Sequence, residues 1–425
     1  MRYFIILIIC ISIYSCKNTT KERVKQTVVQ DSLICDSIIT KNSHTVLKIE
    51  VEDTLKKNGI DKTIDVMDTT VSNKKRVTLL DYEVVHYDKL STTTDFFESF
   101  VQGIDVIPLK IPESVQMPQI PYFHYNNGEY YLIEKFTPEK VLRFSGDGHF
   151  LNFIGNYGDD GDDGYYALND LMFDNGIITV VSNDPIYKFV NYTKSGKYIN
   201  TQKLKLRVQK AVKFNNKYLI YNTYGFSTNR LTEINLKGET IRVLLPVGPN
   251  IGGCQDIVPV FFKYGETILL REAYNHTIYQ INDSLIKPRM FFDFDELAFP
   301  QEFFSINDNY KGAVLLYENG KMLPERYMEN NHFIVSLFDY DKKGDLFSKV
   351  IYLRNKKNNK YIWLKYPINK PNELLFNSIV TLTENNEILL YVNCKTLSTN
   401  KHIIEKYNKS VDYSLNSIVV IRLNI

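Results

Sequence analysis

Four carboxylates, Asp159, Asp160, Asp162 and Asp163, crowd between Gly158 and Gly164. A hard, oxygen-seeking cation would relieve their repulsion, which makes calcium one reading of this loop. The run lacks the alternating acidic positions and distal glutamate of an EF-hand, and its glycines suit a solvated loop with positive-φ positions equally well. Aromatic residues offer a different chemistry. Phe291, Phe292, Phe294 and Phe299 form one group, and Tyr361, Trp363 and Tyr366 another. Rings on exposed loops stack on a sugar or grip a peptide, so Tyr361 and Trp363 are candidate ligand-binding residues; packing between sheets is the competing reading. Histidines 44, 86, 124, 149, 276, 332 and 402 stand singly, and no Cys-x-x-Cys is present. Without metal-ligand spacing, a hydrolase motif, a Walker loop or a dinucleotide fingerprint, neither a catalytic residue nor a cofactor is assigned.

The elements that must position these residues read as β-structure. Of the 425 residues 44% are hydrophobic and 24% charged, as in an ordinary globular chain. Lys and Arg (51) nearly balance Asp and Glu (49), which leaves no field to gather nucleic acid. From about residue 105, aromatic and β-branched runs alternate with Gly, Asn and Asp turns. The runs at 130–133, 177–181, 218–221, 267–270, 313–317 and 388–391 each follow a turn ending at Gly128, Gly176, Asn216, Gly265, Gly312 and Asn386. The intervals are 48, 40, 49, 47 and 74 residues, mostly the length of one propeller blade. A second turn series, ending at Gly148, Gly196, Gly238, Asp283 and Gly344, trails the first and implies two hairpins per unit.

One such unit has two apolar faces and must stack on neighbours, so the expected fold is all-β, a six-bladed β-propeller of four-stranded antiparallel blades. The long interval places insertions near 318–331 and 355–371, and the apolar segment 103–109 is expected to complete the last blade. A pair of stacked β-sandwiches is the alternative.

The amino terminus carries an address. Arg2 precedes an apolar run over 3–13, too short to span a bilayer, and Ser15 and Cys16 follow. This order resembles a bacterial lipoprotein signal. The resemblance implies cleavage before Cys16 and acylation of its thiol by palmitate-like chains, leaving membrane lipid as a partner. Residues 1–15 are then the signal peptide, 16–76 a polar tether with a short strand near 46–51, and 77–425 the propeller. Lys17, Lys21, Arg23 and Lys25 would lie beside anionic headgroups. After processing, Cys35, Cys254 and Cys394 remain. Cys254 and Cys394 either bridge or stay as buried thiols.

The stretch from Phe96 through Ile107, Pro108 and Leu109, then 130–133, 141–148, Ile154, Gly155, Gly164 and Tyr165, resembles the six-bladed β-propeller lipoproteins of Bacteroidetes, which are NHL-like propellers. That resemblance implies the fold and a cell-envelope location, here an outer-membrane lipoprotein facing the periplasm. NHL-like lyases gather histidines from several blades around zinc, a role for which His124 and His276 are the candidates beside ordinary packed histidines. The expected function is a non-catalytic binding or scaffold module for a peptide, a glycan or an envelope protein, with no nucleic-acid partner. The alternative is a lyase or hydrolase whose residues converge on the axial channel.

Overall fold

The computed structural model describes strands 48–49, 63–67 and 74–78 and residues 82–425, apart from 89, 116, 118–120, 135–139, 159–160, 184–185, 224–227, 248–259, 273, 284, 299–319, 343–344 and 368–378. The signal, Cys16, Cys35, Cys254, Asp159, Asp160, Phe299 and the 313–317 run lie outside the described residues. In the segment read as a tether, β1 (Lys48–Ile49), β2 (Thr63–Met67) and β3 (Lys74–Thr78) pair antiparallel.

Four elements precede the first complete blade: β4 (Glu83–His86), β5 (Leu90–Ser91), α1 (Thr93–Phe100) and β6 (Val101–Pro108). Blade 1 follows as β7 (Pro121–Asn126), β8 (Glu129–Glu134), β9 (Val141–Phe144) and β10 (Phe150–Ile154). A two-stranded connection, β11 (Asn156–Tyr157) with β12 (Gly164–Tyr165), leads to blade 2. Its strands are β13 (Leu168–Asp174), β14 (Ile177–Ser182), β15 (Lys188–Thr193) and β16 (Tyr198–Lys203). Blade 3 is β17 (Lys210–Phe214), β18 (Lys217–Tyr221), β19 (Leu231–Asn235) and β20 (Thr240–Leu245). Blade 4 is β21 (Phe261–Tyr264), β22 (Thr267–Arg271), β23 (Thr277–Ile281) and β24 (Ile286–Asp293). Blade 5 is β25 (Lys321–Glu329), β26 (Phe333–Lys342), β27 (Asp345–Asn355) and β28 (Tyr361–Pro367). Blade 6 comprises β29 (Ile379–Leu382), β30 (Glu387–Val392) and β31 (Ser417–Leu423), with β6 as its outermost strand. The six blades stand in a ring, the propeller that the turn spacing predicts.

Position in the blade explains residue type. A middle strand faces a neighbouring blade on both sides, so β14 (IITVVS) and β30 (EILLYV) are almost continuously apolar. The outermost β16 (YINTQK) and β20 (TIRVLL) are exposed at half of their positions. The tight turns close where Asn and Gly allow positive φ, as at Asn127 (48°) with Gly128 (78°) and Asn175 (46°) with Gly176 (81°).

Blade 5 departs from the glycine reading. Segments expected to be insertions supply its inner strand, Lys321–Glu329, and its outer one, Tyr361–Pro367. Its first hairpin turns at 330–332, where Asn330 Oδ1 accepts the amides of His332 (2.9 Å) and Phe333 (2.7 Å). At the last, between β27 and β28, Asn355 Oδ1 accepts the Lys357 amide at 2.9 Å. Asparagine side chains do the turning at these two places without glycine.

The ends of the domain close the ring. β31 pairs antiparallel with β6 from Ser417 against Pro108 to Leu423 against Val101, as expected for the 103–109 segment. Upstream of that closure the chain runs along the rim. β4 adds a parallel fifth strand to blade 4 and β5 another to blade 5. Helix α1 then begins at a capping box in which Thr92 and Asp95 satisfy each other's amides, and it drives Phe96 and Phe100 into the core beside Leu397 and Ile404. Leu397 and Ile404 come from α2 (Cys394–Thr399) and α3 (Lys401–Ile404), inserted between β30 and β31. Where the hairpin turn of blade 1 meets the closing strand, Gly148 has φ 85° and a Cβ would collide with the Pro108 carbonyl oxygen.

Candidate functional site in the axial channel

Inner strands β7, β13, β17 and β25 place Tyr122, His124, Asp170, Lys210 and Arg326 around the axis. Tyr122 and His124 are two residues apart on one strand, so they share a face, and their rings meet edge to face at 5.3 Å. Lys210 Nζ donates to the Asn169 carbonyl of blade 2 at 2.9 Å and to the Tyr122 hydroxyl of blade 1 at 3.3 Å. Blades 1 and 3 are not sequence neighbours, so the second bond ties inner strands on either side of blade 2. Asp170 lies 3.7 Å from Lys210 Nζ and accepts the Ala211 amide at 3.2 Å. Arg326 donates from blade 5 to the Val380 carbonyl of blade 6. Tyr122, Asp170 and Lys210 fall in the first half of their strands, at the channel end away from the Asn-Gly turns.

Burial and the two cations set the charge states. Burial, then the nearby charges of Lys210 and Arg326, push the His124 imidazole down to about 3. His124 is therefore neutral at physiological pH, and its 3.9 Å approach to Asp170 is neither an ion pair nor a hydrogen bond. Its Nε2 is buried with no hydrogen-bond partner. Burial likewise lifts the Tyr122 hydroxyl to about 12 against the pull of Lys210. Asp170 is raised by burial, with Lys210 and the Ala211 and Leu171 amides opposing. The constellation is a set of fixed donors around one carboxylate, and neither His124 nor Tyr122 is poised near neutrality as an acid–base catalyst requires.

A pH experiment reads this directly. His124 ionises in the unfolded chain below its ordinary value of 6.5 but resists protonation in the fold, so acid favours unfolding from about pH 6.5 down to pH 3. Between pH 7 and pH 5 the wild type should lose about 2 kcal/mol more than His124→Gln in urea unfolding. Parallel pH profiles for the two proteins would refute the neutral-histidine assignment.

The family described as "Domain of unknown function (DUF4934)" matches residues 83–422, from the first rim strand to the closing one. The chain belongs to the DUF4934 family. No curated protein matches it in sequence. Among solved structures it is similar to a Bacteroides fragilis protein described as exported, with TM-score 0.64, 15% identity, and coverage of 81% of this chain and 99% of that one. At that identity the likeness shows the fold alone. Weaker matches are BamB from Moraxella catarrhalis (TM-score 0.36, 10% identity, 75% and 100% covered) and AztD from Citrobacter koseri (0.31, 10%, 80% and 77%).

The DUF4934 fold distributes the other candidates away from the axis. Trp363 has no exposed surface and packs on Phe292, Phe294 and Tyr352, with centroids at 6.2, 5.7 and 4.7 Å. Phe292 and Phe294 from one aromatic group and Trp363 from the other thus share one core between blades 4 and 5. Tyr361 is 46% exposed, and its hydroxyl donates to Asp88 at 2.5 Å. In the acidic loop, Asp162 meets Lys203 Nζ at 3.1 Å and Asp163 Oδ2 accepts from Asn156 at 3.2 Å. The Gly161 and Asp163 carbonyls are taken by Lys188 and Tyr192 of blade 2, at 2.8 and 2.6 Å. Tyr165 is buried between blades, whereas Tyr166 is exposed.

His276 bonds the Met322 carbonyl through Nε2 at 2.8 Å, far from any partnership with His124. Cys394 is a free thiol at the start of α2. Among the described residues, no three His, Cys, Asp or Glu side chains are grouped to hold a metal. Sequence reading singled out only His124 from the axial set. The missed signal was a charged residue directly before an apolar run on an inner strand, Asp170 before Leu171, Met172 and Phe173, and Lys210 before Ala211 and Val212.

Proposed function

We propose that this DUF4934 protein is an exported, lipid-anchored propeller of the cell envelope that binds a peptide, a glycan or an envelope protein without transforming it. The supporting observation is the axial constellation. Two cations and a phenol are held by bonds between blades beside a neutral imidazole, as recognition requires, while His124 and Tyr122 titrate far from the pH at which they would exchange protons usefully. A rigid ring whose loops vary freely serves binding on many unrelated ligands. The export signal read at residues 1–16 and the exported description of the Bacteroides fragilis protein support an extracytoplasmic location, with Cys16 as the acylated anchor.

Ligand-observed NMR of peptide and oligosaccharide mixtures, against the wild type and Arg326→Gln, tests the role. Binding that weakens in the variant, with every bound compound recovered unchanged after long incubation, is the expected result. Catalytic conversion of a bound compound, lost in the variant, would replace this reading with the enzymatic one.

A further inference from the structure

Beyond the axial binding role and independent of it, we infer that residues 82–91 are a displaceable strap over a strand-accepting seam between blades 4 and 5. The partner this seam fits is an extended peptide strand with an apolar residue two places before an aromatic one. The chain itself already occupies the seam in that manner. β4 pairs parallel with β24 from Glu83 against Met290 to His86 against Asp293, and β5 pairs with Trp363 and Leu364 of β28. Val85, the one buried residue of β4, joins the core that holds Phe292, Phe294 and Trp363. Two places on, the Tyr87 ring meets Trp363 edge to face at 5.1 Å and Phe294 at 5.6 Å, and the Tyr87 amide donates to the Asp293 carbonyl at 2.9 Å.

Three features make the strap separable from the ring. Among the described residues, blades 1, 2 and 3 end at β10, β16 and β20 with no fifth strand, so a blade is complete without one. The polar fasteners of the strap lie at the surface, where water and salt weaken them: Arg354 to Glu83 at 2.8 Å, His86 to Asp293 at 3.1 Å, and the Tyr361 hydroxyl to Asp88 at 2.5 Å. The downstream end is fixed, because α1 buries Phe96 and Phe100 and β6 pairs along β31. Opening therefore runs from Tyr82 and stops at the capping box of Thr92, as short edge elements open locally while a core stays closed. With the strap away, β24 presents a free backbone edge from Met290 to Asp293 beside the ring faces that Tyr87 covers. Strand addition uses such an edge: backbone bonds supply affinity, and alternate side chains entering apolar contacts supply selectivity.

The test uses the intact mature protein and a synthetic peptide of residues 82–91. In hydrogen exchange read by mass spectrometry, segment 82–91 should exchange about tenfold or more faster than segment 101–108, the next strand of the ring. Tyr87→Ala, which removes both ring contacts, should speed the strap about tenfold further, and Glu83→Gln by a smaller factor, while segment 101–108 keeps its rate in both. Emission of Trp363, the single tryptophan, reports occupancy of the seam. The Tyr87→Ala protein should bind the peptide about tenfold or more tightly than the wild type, whose own strap competes at high effective concentration. The same peptide bearing Tyr87→Ala should bind neither protein. The inference fails if segment 82–91 exchanges only at the rate of 101–108, if the peptide binds both proteins equally or neither, or if its Tyr87→Ala form binds as well. None of those outcomes touches the axial binding role, which the preceding NMR comparison decides on its own.

Discussion

Replacing Cys16 by alanine is expected to move the protein entirely from the membrane fraction to the soluble envelope fraction and to abolish incorporation of labelled palmitate. The anchor proposed here is chemical: each methylene of an acyl chain contributes about 0.8 kcal/mol on entering the bilayer, so two or three long chains hold a protein almost irreversibly and their loss is all-or-none. Nothing else in the described chain substitutes for them as a helical anchor, because among the described residues no helix is long and apolar enough to cross a membrane. The rim path predicts what stays unchanged. The propeller begins at Glu83, many residues downstream of position 16 in the chain, so the urea midpoint of the released protein should equal that of the mature one. Full membrane retention of the alanine variant, or palmitate incorporation without Cys16, would eliminate the lipoprotein assignment.

Arg230→Met is expected to destabilise the fold by about 3–5 kcal/mol, the loss typical of a buried ion pair broken from one side. Arg230, which leads into β19, reaches from blade 3 to Glu272 at the end of β22 in blade 4, with NH1 at 2.8 and 3.0 Å from the two carboxylate oxygens. Both residues are buried, Glu272 completely. Methionine preserves much of the arginine stem but strips this guanidinium from a carboxylate that water cannot reach. It also removes the guanidinium's bond to the Pro246 carbonyl, at 3.2 Å. The companion variant separates charge from packing. Arg230→Met with Glu272→Leu should recover most of the loss, because an apolar pair of similar volume leaves no unpaired charge. Trp363, the single tryptophan, is buried between blades 4 and 5 and makes a natural fluorescent reporter of unfolding. A loss below about 1 kcal/mol for the single variant, or equal losses for single and double, would show that the pair carries no such weight.

The two sets of results bear on different parts of the molecule. The proposed acylation would decide where the ring is held, and the Arg230 pair concerns how neighbouring blades are pinned. Similar pins recur elsewhere: Arg143 joins Glu129 within blade 1 and donates to the Lys194 carbonyl of blade 2 at 2.9 Å, while Arg289 of blade 4 pairs with Glu329 of blade 5. Polar fasteners between blades complement the apolar faces, which by themselves specify stacking but tolerate sliding.

Local chemistry determined the blade number and the hairpins by itself. Asn-Gly and Gly turns announce positive φ in the chain, and apolar runs of strand length have only a few ways to bury two faces. The same logic foresaw the closing strand, since an apolar segment before the first blade needs a sheet to join. Blade 5 was misplaced because asparagine side chains make its first and last turns through hydrogen bonds that glycine counting does not register. The rim strands β4 and β5 escaped because short parallel pairing to strands some 200 residues or more downstream leaves no local mark. The axial constellation belongs wholly to tertiary structure. Tyr122, Asp170, Lys210 and Arg326 come from four separate strands, and only closure of the ring brings them together where exclusion of water sets their charge states. Backbone preference and burial are written residue by residue, whereas electrostatic convergence depends on distances that exist only once six blades meet at one axis.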